Sequence, residues 1–426
     1  MRESKLGFAT FLILASTILS GCKSALPPPS PPTPPLASWV ELASGGAISI
    51  RAITRASACP MIEIDGKPAQ MAERAAPDQA FPVRACEVSA PQTAASIRLD
   101  GRALPILHRE VKRIVVFGDT GCRLKGEAVQ FCNDPKAWPF TRVTAAVAAR
   151  HPDLVIHVGD YHYRESPCPA GVAGCAGTPS GDNWAVWNLD FFQPAAPLLD
   201  VAPWIMVRGN HELCGRGGRG WFRFLDSAEA VLDCPVIDDA FAVAIDRLSF
   251  VITDSAAADD AKAAPDYAQR YAASLAKATT AVQGPFWILT HRPVWALAPI
   301  KRPASEKVDL KPLNRTEQTA IDPEIPPNLE MVVSGHVHTF ASYDFRGWRP
   351  AQLVAGMGGS LFDQMELPAG SNVEIDGMKA RAFATTQYGY LVMDRTEKGW
   401  DGTLYAIEGD RVLAHCRFEG RSAACR

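Results

Sequence analysis

The sequence has no excess of charge of either sign. Its 426 residues include 43 lysines and arginines against 46 aspartates and glutamates, which gives a formal net charge of -3 at pH 7. A chain with this balance has no cationic field that would collect the phosphate backbone of a nucleic acid at long range. We therefore expect no nucleic-acid binding, and the sequence indicates no particular protein partner.

Two common motifs are missing as well. No two of the 11 cysteines have the CxxC spacing that structural zinc sites often use. The glycine-rich stretch 214–220 lacks the GxxxxGK[ST] pattern of a P-loop, so we expect a rim loop there. What the chain does contain is 47% hydrophobic residues, enough to bury at least one large core.

The first residues have the pattern of an export signal. Arg2 and Lys5 precede an uncharged run over residues 6–19, which is shorter than the ~20 apolar residues that span a bilayer. The run ends in LSGC, which resembles a bacterial lipobox, so we expect residues 1–21 to be removed and Cys22 to be lipidated. An ordinary signal cleaved nearby and a buried apolar helix are the alternatives.

A proline-rich segment follows the expected lipidation site. Seven of the nine residues 27–35 are proline, and such a segment extends by ~3.1 Å per residue, which gives a stiff spacer of roughly 28 Å. Residues 22–36 are therefore predicted to be a linker that holds the folded part away from a membrane. Because Lys23 is not the aspartate associated with inner-membrane retention, we expect anchoring in the cell envelope at the outer membrane, on the periplasmic side.

Ten cysteines remain if Cys22 is lipidated, an even number that suits complete pairing in an oxidising compartment. They fall along the chain as five neighbouring couples, so sequential pairing is the simplest expectation. The couples are Cys59–Cys86, Cys122–Cys132, Cys168–Cys175, Cys214–Cys234 and Cys416–Cys425. Other connectivities remain open, and a structural zinc site is the rival interpretation.

The rest of the chain divides by its sequence pattern. Residues 37–108 carry short apolar alternations broken by glycine and proline, which predicts a small β-sandwich-like domain. Residues 109–395 alternate runs typical of buried strands with helical stretches, which predicts an α/β domain. Residues 396–426 contain the last cysteine couple, and we expect a C-terminal β extension there.

Polar clusters follow five of the predicted strands, each at the point where a strand ends. In open α/β sheets ligands bind outside the carboxyl ends of the strands, so loops far apart in sequence can converge on one site. The clusters are GDTG (118–121), GDYHY (159–163), GNHE (209–212), TH (290–291) and GHVH (335–338). Their Asp, Asn, His and Tyr side chains offer oxygen and nitrogen donors suited to hard or borderline metal ions.

In this order the clusters resemble the five motifs of the calcineurin-like metallophosphoesterases, and the tyrosine of the second motif is similar to that of the purple acid phosphatases. The resemblance implies a four-layer αββα sandwich, here preceded by the small β domain. It also implies an enzyme that hydrolyses phosphate esters with a metal-bridging hydroxide at a dinuclear centre. An acid phosphatase-like phosphomonoesterase acting on small phosphorylated substrates is the first expectation.

The resemblance further implies which residues bind the metals. One ion is expected to be bound by Asp119, Asp160, Tyr163 and His338. The other is expected to be bound by Asp160, Asn210, His291 and His336, with Asp160 shared. A phenol with an ordinary pKa of ~10 must lose its proton to coordinate, which Fe(III) favours far more than Mg²⁺ does. We therefore expect two metal ions, Fe(III) and a divalent iron, zinc or manganese ion.

The same resemblance implies a catalytic role for His211, which is expected to protonate the leaving oxygen or to stabilise its charge. Glu212 is expected to orient His211, and a structural histidine is the alternative for position 211. His162 is open between a pocket-lining and a structural role, and Arg292 between a phosphate contact and a solvated side chain. His157, on a predicted buried strand, is expected to be a core histidine.

Two other functions are compatible with the motifs. A phosphodiesterase or nucleotidase would use the same metal pair and would differ in groups beyond the phosphate, which the motifs do not describe. A non-enzymatic envelope lipoprotein that retains the fold would be expected to lose metal ligands, whereas this chain keeps all seven of them together with His211.

Overall fold

A computed structural model describes Met1 and residues 35–228, 233–300 and 309–426 of the chain. The remainder of the expected signal, the lipidation site Cys22 and the linker up to residue 34 lie outside the described residues. No helix in the described part of the chain is long and apolar enough to cross a membrane.

The described residues form 27 strands (β1–β27) and six α-helices (α1–α6). The N-terminal strands are β1 (Ala37–Leu42), β2 (Ala47–Thr54), β3 (Met61–Ile64), β4 (Lys67–Gln70), β5 (Ala72–Ala75), β6 (Arg84–Pro91), β7 (Ile97–Leu99) and β8 (Arg102–Ala103). The next strands are β9 (Arg113–Phe117), β10 (Leu124–Lys125), β11 (Ala128–Val129), β12 (Leu154–His157), β13 (Trp204–Met206), β14 (Phe241–Ile245), β15 (Leu248–Ile252) and β16 (Phe286–Leu289). They are followed by β17 (Leu297–Ile300), β18 (Asp309–Pro312), β19 (Leu329–Ser334), β20 (Phe340–Phe345), β21 (Ala351–Ala355), β22 (Leu367–Ile375) and β23 (Met378–Thr385). The last strands are β24 (Gly389–Arg395), β25 (Trp400–Ala406), β26 (Arg411–Glu419) and β27 (Ser422–Cys425). The helices are α1 (Phe140–Ala148), α2 (Trp184–Trp187), α3 (Gln193–Leu199), α4 (Gly218–Phe224), α5 (Pro265–Thr279) and α6 (Arg315–Ile321).

Two large mixed sheets form the centre of the protein. The first has 11 strands in the order β27-β26-β25-β24-β9-β12-β13-β1-β2-β6-β5, and the second has eight in the order β14-β15-β16-β19-β21-β20-β23-β22. Strands β9, β12 and β13 run parallel in the first sheet. Strands β15, β16, β19 and β21 run parallel in the second. Each sheet therefore brings the carboxyl ends of its parallel strands to one edge.

Apolar side chains of the central strands pack into a core on each face of a sheet, because successive side chains of a strand point to opposite faces. On β9, Ile114 and Val116 pack between the two sheets together with Leu289 of β16. Val115 and Phe117 of the same strand pack on the outer face of the first sheet. One strand therefore contributes to two separate cores.

Helices cover the outer face of each sheet. Val143 of α1 and Leu198 of α3 pack on the first sheet, and Leu275 of α5 and Ile321 of α6 pack on the second. The layers follow the order helix, sheet, sheet, helix, which confirms the predicted four-layer sandwich. The aromatic residues of the segment 184–192 are buried in the core under the helices of the first sheet.

The N-terminal β segment continues the first sheet. Strand β1 pairs antiparallel with β2 and parallel with β13, so β1, β2, β6 and β5 extend that sheet beyond β13. Strands β3, β4, β7 and β8 form a four-stranded sheet of their own. Pairing with β1 satisfies backbone groups of β13 that would otherwise lie at an open edge. The β structure predicted for residues 37–108 is present, and half of its strands belong to the same sheet as the α/β part, which they join through the pairing of β1 with β13.

Two buried arginines tie this segment to helix α4. Arg51 on β2 donates a hydrogen bond to the backbone oxygen of Phe224 at 2.6 Å. Arg74 on β5 donates to the backbone oxygens of Phe222 at 3.0 Å and of Asp226 at 2.9 Å. These oxygens lie at the C-terminal end of α4, where carbonyl groups lack partners within the helix. The N-terminal segment thereby fixes the helix that follows the GNHE motif.

Five disulfide bonds connect the ten expected cysteines in sequential couples. They are Cys59–Cys86, Cys122–Cys132, Cys168–Cys175, Cys214–Cys234 and Cys416–Cys425. The last bridge joins directly opposed residues of the antiparallel strands β26 and β27, in the C-terminal β extension. The sequential pairing expected from the order of the cysteines is confirmed.

Candidate metal centre

Side chains from both large sheets meet beyond the carboxyl ends of their parallel strands. Three strands of the first sheet and two of the second each end two to four residues before a candidate ligand. The ligands are Asp119 after β9, Asp160 and Tyr163 after β12, Asn210 after β13, His291 after β16, and His336 and His338 after β19. Loops that are distant in sequence thus converge on one place in the fold.

Three donors surround the phenol oxygen of Tyr163. Its Oη lies 2.7 Å from Oδ2 of Asp160, 2.7 Å from Nε2 of His338 and 3.1 Å from Oδ1 of Asp119. Ligand atoms of Asp119, Asp160 and His338 all lie within 4.8 Å of one another. The structure therefore brings together the four residues expected for the first ion.

Asp160 belongs to a second group of donors as well. Its Oδ2 lies 3.2 Å from Nε2 of His291, and the same nitrogen lies 3.1 Å from Oδ1 of Asn210. Ligand atoms of Asp160, His291 and His336 again lie within 4.8 Å of one another. One carboxylate common to two donor groups is the arrangement that a pair of neighbouring metal ions requires.

Three of these residues have positive φ angles, which residues other than glycine rarely adopt. The φ angle is 57° at Asp119, 61° at Asp160 and 70° at His336. Such conformations cost on the order of 1–3 kcal/mol each and persist where the surrounding structure fixes them, often at functional sites. Gly159, with φ of 98°, allows a further close approach, because a Cβ there would lie 2.5 Å from Nδ1 of His291.

The chemistry of the donors fits a pair of cations. Asp119 and Asp160 are 0% and 1% exposed, and buried carboxylates side by side require compensating positive charge. Burial, together with the charge of Asp160, raises the pKa of Tyr163 well above its ordinary value. The phenol would therefore become an anionic ligand only if a bound cation displaced its proton. A set of oxygen and nitrogen donors without thiolate suits iron, zinc or manganese.

Backbone carbonyl groups orient two of the histidines. Nδ1 of His291 lies 2.8 Å from the backbone oxygen of Val158, and Nδ1 of His338 contacts that of Leu361. In both rings Nε2 then faces the cluster of ligands. Histidines that bind metals commonly donate the other ring N–H in this way, which fixes the tautomer and the orientation of the ring.

His336 is held by charged side chains instead. Its Nε2 lies 3.0 Å from Oδ2 of Asp260 and 2.9 Å from Nη1 of Arg292, and Asp260 and Arg292 contact each other. This leaves Nδ1 of His336 available to an ion. The side chain of Arg292 is 12% exposed and paired, rather than solvated. Asp260 was not predicted, since its neighbour Asp259 has the same chemistry and the segment after β15 has no motif.

His211 lies beside the shared carboxylate. Its Nε2 is 3.8 Å from Oδ2 of Asp160, and its ring packs against that of Tyr163 with 3.7 Å between the ring centroids and an angle of 36° between the ring planes. Burial lowers the pKa of His211 to about 4, although the nearby carboxylates favour the protonated ring. The imidazole therefore faces the same centre as the metal ligands.

The expectation that Glu212 orients His211 is wrong. The carboxylate of Glu212 is buried and turned toward the backbone of the surrounding loops. It accepts four backbone hydrogen bonds at 2.9–3.1 Å, from the N–H groups of Asp160, Tyr161, His162 and Gly209. Glu212 thus shapes the loop that carries the second motif, because its oxygens satisfy amide groups that the tight turn leaves without partners.

Glu165 is the carboxylate that holds His211. Its Oε1 lies 2.5 Å from Nδ1 of His211 and accepts a hydrogen bond from Nε of Arg216 at 3.0 Å. Burial acts against the charged form of Glu165, but the hydrogen bonds from His211 and Arg216 prevail and lower its pKa to about 2. Its position two residues after Tyr163 is the only sequence signal that could have pointed to it.

Two further histidines have structural surroundings. Nε2 of His157 lies 2.9 Å from Oγ1 of Thr120, and the ring stacks on Tyr161 at 3.9 Å, as expected for a core histidine. His162 is fully buried, with Nε2 3.0 Å from the backbone oxygen of Gly181. The structural interpretation of His162 is therefore the one that its surroundings support.

Comparisons with known proteins agree with this geometry. A family model described as calcineurin-like phosphoesterase matches residues 112–340. The fold is similar to that of a purple acid phosphatase from yellow lupin (Lupinus luteus) seeds, with 13% identity and a TM-score of 0.58 over 92% of this chain and 74% of that one. It is also similar to that of PhoD, with 10% identity and a TM-score of 0.53 over 93% of each chain. At these identities the two structures show a shared fold, and no curated protein sequence matches the chain.

Proposed function

Because the chain belongs to the calcineurin-like phosphoesterase family, and is therefore a metal-dependent phosphoester hydrolase, we propose that it hydrolyses small phosphate monoesters. The observation that carries this proposal is the carboxylate of Asp160, which is common to two groups of metal-binding side chains. Two ions bound there would supply an activated water and would neutralise charge on the phosphoryl oxygens. The protein's own contribution is to fix the geometry of these donors and to handle the leaving group.

His211 is the residue that we assign to the leaving group. Its Nδ1 contacts Oε1 of Glu165 at 2.5 Å, and this carboxylate favours the protonated ring against the effect of burial, which lowers the pKa of His211 to about 4. In its protonated form at acid pH, a histidine held in this way can give a proton from Nε2 to the leaving oxygen as the ester bond breaks. Arg216, which bonds to the same carboxylate, keeps Glu165 ionised and oriented.

The two donor groups differ in the ions that they favour. We propose Fe(III) for the group that contains Tyr163, because a phenol buried among carboxylates loses its proton only to a strongly charged cation. We propose a divalent iron, zinc or manganese ion for the group of Asp160, Asn210, His291 and His336. Imidazole with carboxylate and amide oxygen is compatible with each of these divalent ions.

The proposal is tested with two chromogenic esters. We expect metal-loaded protein to have a higher kcat/KM for p-nitrophenyl phosphate than for bis(p-nitrophenyl) phosphate, and the Asp119→Ala variant to be inactive on both. Faster turnover of the bis ester would instead support the phosphodiesterase alternative. Hydrolysis of neither ester by protein that contains both metals would reject the proposed substrate class.

We also propose that the enzyme is exported and anchored to the cell envelope through a lipidated Cys22. The LSGC sequence and the five disulfide bonds support this proposal, since such bonds persist in oxidising compartments. Wild-type protein should fractionate with outer membranes, whereas Cys22→Ser should be recovered in the soluble fraction or remain unprocessed. Equal membrane association of the two proteins would contradict anchoring at Cys22.

A further inference from the structure

Among the described residues, the arginines in the loops around the metal centre are paired with carboxylates, with one exception. Four ion pairs are formed by Arg164 with Asp190, Arg208 with Asp254, Arg216 with Glu165, and Arg292 with Asp260. The exception is Arg123, which takes part in no ion pair within the part of the chain that the structure describes. Toward the residues that the structure describes, Arg123 donates a hydrogen bond from its backbone N–H alone, so its guanidinium donors remain available.

Arg123 lies at the donor group that contains Tyr163. Its guanidinium carbon is 5.6 Å from the centroid of the Tyr163 ring. The phenol oxygen of the same ring lies 2.7 Å from both Asp160 and His338. A half-buried positive charge without a counter-ion therefore stands beside the proposed metal pair.

The backbone next to Arg123 is fixed relative to the second motif. The N–H of Leu124 donates to the backbone oxygen of Tyr163 at 3.0 Å, and the N–H of Glu165 donates to the backbone oxygen of Leu124 at 3.0 Å. These bonds connect the hairpin of β10 and β11 directly to the loop that carries Tyr163. The position of Arg123 is therefore set by the same loop that positions the metal ligand.

A buried glutamine and a disulfide bond hold the hairpin from its other side. The N–H of Arg123 donates to Oε1 of Gln130 at 2.9 Å, and Nε2 of Gln130 donates to the backbone oxygen of Gly359 at 2.8 Å. Cys122, the residue before Arg123, is joined to Cys132. With its backbone held at both ends, Arg123 presents its side chain from a fixed position, so ligand binding has to order only that side chain.

An anion is the partner that this arrangement favours. A partly buried charge is costly unless it is paired, and a guanidinium has a planar fork of donors that matches two oxygens of a phosphoryl group. The neighbouring arginines cannot serve in the same way, because their donors are occupied by carboxylates. The substrate of a phosphoesterase supplies such oxygens next to the metal pair.

We propose that Arg123 binds the phosphoryl group of the substrate and sets a preference for monoesters over diesters, an inference that rests on the proposed function. A monoester has three non-bridging oxygens and carries two negative charges above its second pKa of roughly 6. In a diester one of these oxygens carries a substituent and only one negative charge remains. A cation fixed beside the centre therefore attracts a monoester more strongly than a diester.

The test compares Arg123→Gln with Lys136→Gln, which removes one positive charge from an exposed position between Cys132 and α1. Each metal-loaded protein is assayed on p-nitrophenyl phosphate and on bis(p-nitrophenyl) phosphate, and its affinity for inorganic phosphate is measured by calorimetry. We expect Arg123→Gln to lower both kcat/KM for the monoester and the affinity for phosphate by roughly 10- to 100-fold. The kcat/KM for the bis ester should fall much less in Arg123→Gln. Lys136→Gln should have the kcat/KM values and the phosphate affinity of the wild type.

A second variant distinguishes the loss of phosphate binding from a general disturbance of the hairpin. Arg123→Lys keeps the charge but not the planar fork, so its phosphate affinity should lie between those of wild type and Arg123→Gln. Unchanged phosphate affinity in Arg123→Gln, an equal loss on both esters, or a loss of metal would each overturn the proposal. Hydrolysis of neither ester by the wild-type protein would reject the proposed function. The role of Arg123 would still be tested in that case, because the calorimetric affinity for phosphate does not depend on turnover.

Discussion

Nδ1 of His211 lies 2.5 Å from Oε1 of Glu165, and the same imidazole packs against the ring of Tyr163 with 3.7 Å between centroids. Glu165 and Tyr163 belong to one loop and His211 to another. The residue assigned to the leaving group is thus held between a carboxylate and a proposed metal ligand. This contact gives the imidazole one orientation before any substrate binds.

Replacing His211 by alanine should lower turnover of p-nitrophenyl phosphate by about 10²- to 10⁴-fold, because proton donation to the leaving oxygen is lost. The metal content should not change, since His211 is not among the proposed ligands. The matched control is His415→Ala, on the exposed side of β26, which should retain full activity. Unchanged turnover in His211→Ala would remove the role assigned to that residue.

Replacing Tyr163 by phenylalanine keeps the ring that packs on His211 but removes the oxygen among the ligands. If that oxygen binds Fe(III), the visible charge-transfer absorption of the protein should disappear while the fold is retained. Tyr161→Phe is the control, because its hydroxyl contacts the backbone of His157 and Val207 instead of the ligands. A colour that survives in Tyr163→Phe would show that this tyrosine is not bound to iron.

Replacing Asp260 by asparagine removes the negative charge that holds Nε2 of His336. Removal of a group that orients a metal-bound histidine typically weakens metal binding by about 10- to 100-fold. We expect the variant to lose one of its two ions at a lower chelator concentration than wild type, as measured by elemental analysis after dialysis. Asp259→Asn is the control, because Asp259 accepts backbone hydrogen bonds from Ala261 and Lys262, which an asparagine can also accept. Equal retention of metal in Asp260→Asn and wild type would contradict the assignment.

Replacing Arg74 by alanine should destabilise the protein by about 3–5 kcal/mol, because it leaves the buried carboxylate of Asp226 and the backbone oxygen of Phe222 without their arginine partner. The free energy of unfolding is measured by urea denaturation. Arg84→Ala, whose partner Glu73 is 40% exposed, should cost at most about 1 kcal/mol. Similar losses in the two variants would mean that the N-terminal segment does not support α4 in the way described.

The residues that sequence reasoning identified are those whose role depends on local order. Each candidate ligand follows a strand, and strand ends can be recognised from short apolar runs. The disulfide bonds could be predicted for a similar reason, since the paired cysteines are separated by only 7 to 27 residues in the sequence. The four-layer fold followed from the same motifs through the resemblance that they carry.

What the sequence did not reveal depends on how separate loops meet. Asp260 and Asp259 are chemically identical neighbours, and only the path of the backbone after β15 directs one of them to His336. The exchange of roles between Glu212 and Glu165 has the same origin, because the tight turn at the second motif leaves amide groups that only a nearby buried carboxylate can satisfy. The pairing of β1 with β13 joins segments far apart in sequence, and strand alternation alone does not encode a partner.

The central claim is that Asp160 is shared by two metal ions, and elemental analysis of matched variants tests it most directly. Purified wild-type protein should contain two metal ions per chain. Asn210→Ala should lose the ion of one group only, whereas Asp160→Ala should lose both because each group depends on that carboxylate. An Asp160→Ala protein that folds and still retains two ions per chain would contradict the account.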